Sequence, residues 1–203
     1  MCLHETRLFA WVLDVTMRQR PFTPYRERVI GAASGRTVEI GIGSGLNLPF
    51  YPPAAERVIG LDPSRRLLAM ARARRERAAP VDLLEGSAEA IPLDDASADT
   101  VVTTWTLCSI PDAARALGEM RRLLRPGGRL LFVEHGRAPD AGVRWWQDRM
   151  TPAWRRLSGG CHLNRPIPDL IEGAGFRIER LETGYLRGRN PMAFMYEGCA
   201  RPR

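Results

Sequence analysis

Short, continuous apolar runs alternate along this chain with longer stretches in which apolar residues return every three or four positions. The short runs occupy Thr37–Ile42, Arg57–Leu61, Val81–Leu84, Thr100–Thr103, Gly128–Glu134, Phe176–Glu182 and Met192–Gly198. Most are apolar throughout, as expected of strands buried on both faces of a parallel sheet. Between them the period lengthens. Ser64 can cap a helix in which Leu67, Leu68 and Ala71 share one face. Asp112 precedes Ala113, Ala116, Leu117, Met120, Leu123 and Leu124, a stripe at the 3.6-residue period. Pro126-Gly127-Gly128 then stops that helix and turns the chain into the next strand.

Strand–helix alternation of this kind predicts an α/β fold: a Rossmann-like, seven-stranded, mostly parallel sheet with helices on both faces. Only Thr183 to Pro191 separates the last two runs. That is too short for a helical crossover, so they should close the sheet as an antiparallel edge hairpin. No internal repeat or low-complexity linker interrupts the pattern. The expectation is a single domain over residues 1–203, with an N-terminal helical cap over 1–30 and an insertion over 137–168.

A chain of 203 residues is large enough for one full core. The net charge of +7 comes from 30 arginines against 23 acids, with no lysine anywhere. Arginine-only usage reads as the mark of a GC-rich genome, and it removes lysine as a base or Schiff-base nucleophile. Nucleic acid is not expected as a partner, because the arginines of residues 65–77 lack the interleaved aromatics that single strands stack on. Four cysteines (Cys2, Cys108, Cys161, Cys199) and three histidines (His4, His135, His162) are dispersed without zinc-ligand spacing. No metal is expected, and the thiols read as reduced in a cytoplasm. No stretch approaches the ~18 to 20 apolar residues of a membrane span. Leu8 to Val15 is short and interrupted by Asp14, so it makes no signal-peptide core. Peripheral contact with a membrane surface stays open, as does the oligomeric state.

The candidate chemistry starts at Val38–Asn47. An acid, Glu39, is followed by Gly41, Gly43 and Gly45, with Ser44 and Asn47 completing the loop. Glycines let a backbone approach a ligand closely. A phosphate-cradling loop wants donors and positive potential, whereas a carboxylate beside this one suits a ligand with cationic or hydroxyl groups. Asp62, 17 residues beyond Gly45 and followed by Pro63, ends the second strand. It is placed to accept from both hydroxyls of a ribose. A dinucleotide fingerprint would need glycine at position 46, which is Leu46. Together these features favour S-adenosylmethionine over NAD. After the third strand, Ser87 and the amide of Ala88 are candidates for reading an adenine edge. The other reading of Ser87 to Glu89 is a polar turn capping the next segment. After the fourth strand, Thr104, Trp105 and Leu107 are candidates for the pocket floor, with Trp105 equally readable as core.

The arrangement resembles the class I S-adenosylmethionine-dependent methyltransferases over residues ~25 to 200. The motifs that carry the likeness are Val38–Asn47, Gly60–Ser64 and Leu123–Glu134. The resemblance implies S-adenosylmethionine as methyl donor and S-adenosylhomocysteine as product. It implies that Gly41, Gly43 and Gly45 approach the methionine and ribose part, that Glu39 reaches the loop or the amino group, and that Asp62 reaches the ribose. A narrower likeness rests on Asn47–Pro53, Leu107-Cys108-Ser109, Glu134-His135 and Pro152–Arg165. These resemble the methyltransferase-like thiol S-methyltransferases and their bacterial relatives. That likeness implies a small-molecule thiol acceptor, such as hydrogen sulfide or an alkyl or aryl thiol. The human members carry an N-terminal hydrophobic anchor that this sequence is expected to lack. A quinone or phospholipid head group methylated on carbon or nitrogen is the alternative, and a nucleic-acid acceptor ranks below it.

A thiol acceptor must lose its proton, because the thiolate is the nucleophile. His135, just after the fifth strand, is the first candidate base and His162 the second. Each has a bland alternative. His135 can orient a loop, and His162 sits beside Asn164, which can cap the following helix. Trp146, Met150 and Trp154 fall at i, i+4 and i+8 and are candidates for the acceptor wall, although Pro152 should bend or break a helix there. Leu8, Phe9, Trp11, Val12 and Val15 make either a flap over the site or a cover for the core. Cys108 and Cys161 read as small buried residues.

Overall fold

A computed structural model describes residues 6–74, 80–186 and 194–203. Seven strands form one sheet in the order β3-β2-β1-β4-β5-β7-β6. Central β1 (Arg36–Ile40) lies between β2 (Arg57–Asp62) and β4 (Ala98–Thr104), with β3 (Val81–Glu85) beyond β2 and β5 (Leu124–His135) beyond β4. These five strands are parallel. β7 (Phe194–Pro202) runs antiparallel to both β5 and β6 (Phe176–Tyr185), giving the expected edge hairpin. The first two residues of the run predicted at Met192–Gly198 lie outside the described residues.

Six helices accompany the sheet among the described residues: α1 (Arg7–Met17), α2 (Thr23–Ile30), α3 (Arg65–Arg74), α4 (Ala113–Leu123), α5 (Ala141–Leu157) and α6 (Ile167–Gly173). Side-chain alternation divides the core in two. Val38, Ile40, Val101, Leu130 and Phe132 face one layer with Leu117, Met120 and Leu123 of α4. Val102, Leu131 and Val133 face the other with Val29 and Ile30 of α2. Full burial of each Leu or Met of the α4 stripe contributes roughly 1.5–3 kcal/mol. Both predicted caps form. Ser64 Oγ accepts from the Leu67 amide at 3.4 Å, and the Asp112 carboxylate accepts from Arg115 at 2.9 Å.

One boundary differs. β5 begins at Leu124, and Pro126-Gly127-Gly128 lies inside it as an irregularity, not ahead of it as a break. Gly127 takes a left-handed φ of 82° there, which glycine accommodates without a Cβ penalty. The chain runs outward from β1 to β3, then restarts across β1 at β4. The sheet therefore has its switch point between the carboxyl ends of β1 and β4, where ligands of such folds bind.

Candidate active site

A cavity of about 760 Å³ opens at that switch point. The glycine loop, the ends of β2 and β4, and the turn after β3 form its base. Phe9, Leu13 and Met17 of α1 close over it together with Arg155, Arg156, Ser158, Gly159 and Gly160 at the end of α5.

The loop is held from below. Gly41 has a φ of 72°, and a Cβ there would lie 2.3 Å from Thr106 Oγ1, so only glycine fits. The Gly43 amide donates to Asp62 Oδ2 at 2.9 Å, and the Ser64 amide donates to Oδ1 at 2.8 Å. Gly45 serves packing. It faces Ala71 of α3, where a Cβ would come within 3.0 Å of the helix backbone, and it does not line the cavity.

Glu39 is fully buried beneath the loop. Its carboxylate accepts from Asn47 Nδ2 at 2.6 Å and from the Tyr51 hydroxyl at 2.8 Å. Burial pushes its pKa up to about 7, against the lowering by Tyr51, Asn47 and Arg26. Asn47 is the hub. Its Nδ2 also donates to Thr104 Oγ1 at 2.9 Å, while its Oδ1 accepts from Arg26 Nε at 2.9 Å. Arg26 lines the cavity, donates to the Met17 carbonyl at 2.8 Å, and stacks 4.9 Å from the centre of the Trp105 ring. Burial lowers its pKa to about 10. Arg26 is not legible in the sequence, because one arginine among 30 carries no signal until α2 turns it inward.

Trp105 lines the cavity in a left-handed conformation, φ 50°, uncommon for a residue with a Cβ. Its amide reaches the Val133 carbonyl at 2.8 Å, which turns the chain off the end of β4. Leu107 is wholly buried in the core and does not line the cavity. Pro63, Ser87, Ala88, Glu89 and Thr104 all line it. Ser87 Oγ also accepts from the Glu89 amide at 3.1 Å, and Glu89 Oε1 accepts from the Asp112 amide at 2.6 Å. The turn therefore lines the cavity and also anchors the start of α4.

α1 is fastened to the loop by a charge. Asp14 is 2% exposed, and its carboxylate accepts from Ser44 Oγ at 2.6 Å and pairs with Arg74 at 2.9 Å and with Arg18. Burial alone would raise its pKa, but these partners outweigh it and hold the group below its ordinary value. Of the N-terminal apolar residues, Phe9 faces the cavity, whereas Leu8, Trp11, Val12 and Val15 are exposed.

The insertion differs from expectation by one helical step. α5 is continuous through Pro152, and its buried face carries Gln147 and Thr151. Gln147 accepts from the Ala138 amide and donates to the Gly136 carbonyl, both at 2.9 Å. The backbone of the β5–α5 connection needs these partners. That requirement turns Trp146 outward, 54% exposed, and neither Met150 nor Trp154 lines the cavity. Arg155, Arg156, Ser158, Gly159 and Gly160 line it instead.

Neither His135 nor His162 lines it either. His162 Nδ1 lies 3.1 Å from the Cys108 carbonyl, and burial depresses its pKa. Asn164 does not cap α6; its amide donates to Asp148 of α5 at 2.7 Å. His135 Nε2 lies 3.1 Å from Cys161 Sγ. Burial alone would lower the pKa of His135, yet Cys161 and Glu134 together raise it.

The methyltransferase-domain family model matches residues 38–132, which span the glycine loop, Asp62, the β3 turn and most of β5. The chain belongs to the class I S-adenosylmethionine-dependent methyltransferases. It is 36% identical over 157 residues to human thiol S-methyltransferase TMT1B, covering 74% of this chain and 64% of that protein. It is 33% identical over 181 residues to the malonyl-[acyl-carrier protein] O-methyltransferase of Methylococcus capsulatus, covering 84% and 62%. The chain thus spans less than two thirds of the length of these relatives. An S-adenosylmethionine-dependent methyltransferase from Thermotoga maritima shares the fold, with a TM-score of 0.66 at 24% identity over 96% of this chain and 99% of that one. The cofactor of this methyltransferase is S-adenosylmethionine.

Proposed function

We propose that this methyltransferase transfers the methyl group of S-adenosylmethionine to a small-molecule thiol. The observation that carries the reading is the make-up of the cavity away from Asp62 and Glu89. There Trp105, Thr106, Ser109 and Gly160 meet Arg155 and Arg156, with no histidine on the wall among the described residues. Among the described residues neither arginine is paired with an acid.

An amine or alcohol acceptor needs a positioned base to take its proton. A thiol needs far less. Its free pKa is about 8.5, and nearby guanidinium groups favour the thiolate. A cavity end that supplies cations and, among the described residues, no base therefore suits an acceptor that ionises by itself. Similarity to a thiol S-methyltransferase supports the same choice.

The residues present fit the cofactor. Asp62 holds the Gly43 and Ser64 amides and also lines the cavity, which suits an acidic acceptor of ribose hydroxyls at the end of the second strand. The Ala88 amide makes no backbone hydrogen bond among the described residues, which leaves it for an adenine edge. Arg26 donates through Nε and Nη2, leaving Nη1 for the carboxylate of the methionine part. Bound S-adenosylmethionine supplies an electrophilic sulfonium methyl. The protein aligns the acceptor and excludes water, with α1 and the end of α5 as the cover. The test is thiol-dependent formation of S-adenosylhomocysteine. Amine- or carboxylate-dependent formation in its place would refute the reading.

A further inference from the structure

Three residues that lie far apart in sequence converge just behind the cavity wall. Cys108 follows β4, His135 ends β5, and Cys161 follows α5. Their ligand atoms all lie within 4.8 Å of one another, and His135 Nε2 is 3.1 Å from Cys161 Sγ. Ser109 and Gly160, the chain neighbours of the two cysteines, line the cavity itself.

We propose that Cys108, Cys161 and His135 form a binding site for one thiophilic divalent cation, with zinc the natural occupant. Zinc bonds of about 2.3 Å to sulfur and about 2.0 Å to nitrogen place tetrahedral ligand atoms about 3.5 Å apart. The His135–Cys161 pair, at 3.1 Å, lies within about 0.5 Å of that spacing, and the remaining atoms, all within 4.8 Å of one another, close on it by side-chain rotation. Two thiolates and an imidazole are also the donor set that a borderline-soft cation selects over magnesium or calcium.

The charge balance agrees. Two thiolates neutralise a divalent ion, and the Arg165 guanidinium that acts on both cysteines is offset by buried Glu134. His135 Nδ1 is buried with no hydrogen-bond partner among the described residues. No bond there commits Nε2 to carrying the proton, so its lone pair is free to face the sulfurs. Metal uptake forms two metal–sulfur bonds and one metal–nitrogen bond, and it releases the two thiol protons to solvent. Three protein ligands leave a fourth position, for water or an added thiolate.

The proposal stands apart from methyl transfer and is tested apart from it. The full chain, reduced and stripped with a chelator, is titrated with cobalt(II) and with cadmium(II). One equivalent should bind, with tetrahedral cobalt bands and thiolate-to-metal charge-transfer absorption, and with uptake that tightens as pH rises. Cys161→Ser and His135→Ala should each weaken uptake at least tenfold, while circular dichroism and S-adenosylhomocysteine binding stay at the parent level. A reduced protein that takes up no metal overturns the proposal. So does uptake that lacks the charge-transfer band, or uptake equally tight in Cys161→Ser.

Discussion

Asp62 and Glu39 are two buried acids about the same loop, and their surroundings give them different work. Asp62 holds the loop amides and faces the cavity. Replacing it with alanine removes charge-assisted acceptors worth roughly 1.5–3 kcal/mol, so S-adenosylhomocysteine should bind about 10- to 100-fold more weakly by calorimetry. An unchanged affinity would remove Asp62 from the cofactor site. Glu39 instead couples stability to pH. Its folded pKa of about 7 stands above its ordinary 4.5, and burial raises Glu134 similarly to about 7. A raised carboxyl stabilises the fold fully below about 4.5 and loses that contribution as pH climbs toward 7. Melting temperature should therefore fall across that window and then level, and Glu39→Gln should flatten part of the slope. Asp14 has the opposite sign. Its depressed pKa keeps its contribution intact above its ordinary 3.8, and that contribution is lost as pH drops below it. The position of the glycine loop and of Asp62 at the carboxyl edge of the sheet was legible from spacing, because a strand end fixes where the next few residues lie. Gly45, however, packs on α3, and Glu39 lies beneath the loop, off the cavity wall. Arg26 and Asp14 were not legible, since only the folded return of α1 and α2 shows which polar residues point inward.

The Asp14 tether makes α1 part of the site at the level of elements. The helix buries Asp14 against Ser44 and Arg74 while leaving Leu8, Trp11, Val12 and Val15 exposed. Its attachment near the cavity therefore rests on that ion pair and on Phe9, Leu13 and Met17. Asp14→Asn should speed proteolytic cleavage within residues 7–17 and raise the dissociation rate of S-adenosylhomocysteine several-fold. Equal cleavage rates in variant and parent would show that the tether does not hold the helix. The sheet and its edge hairpin were readable from the sequence, because apolar runs of strand length separated by helical periods admit few topologies. The facing of α5 was not. Hydrophobic spacing selected Trp146, Met150 and Trp154, yet the backbone of the β5–α5 connection required Gln147 inside, and satisfying buried polar groups outweighed burying a tryptophan.

For the whole molecule, the fold carries the methyl donor and leaves the acceptor to a few residues at the edge of one cavity. In the proposed reading the donor side is built from β1, β2 and the turn after β3, and the acceptor side draws on Trp105, Ser109 and the Arg155–Gly160 segment. A net charge of +7 favours anionic small molecules near the cavity mouth, as a thiolate acceptor would use. The likeness to both a sulfur and an oxygen methyltransferase means that this chain's own wall has to decide the acceptor. Incubation with S-adenosylmethionine and a panel of alkyl thiols, aryl thiols, quinols, amines and carboxylates, read by mass spectrometry, tests that most directly. Thiols should yield S-adenosylhomocysteine and the methyl thioether in equal amounts, with turnover falling at least tenfold in Arg155→Ala/Arg156→Ala. Turnover with any other class in the absence of thiol turnover, or none with any class, would contradict the account.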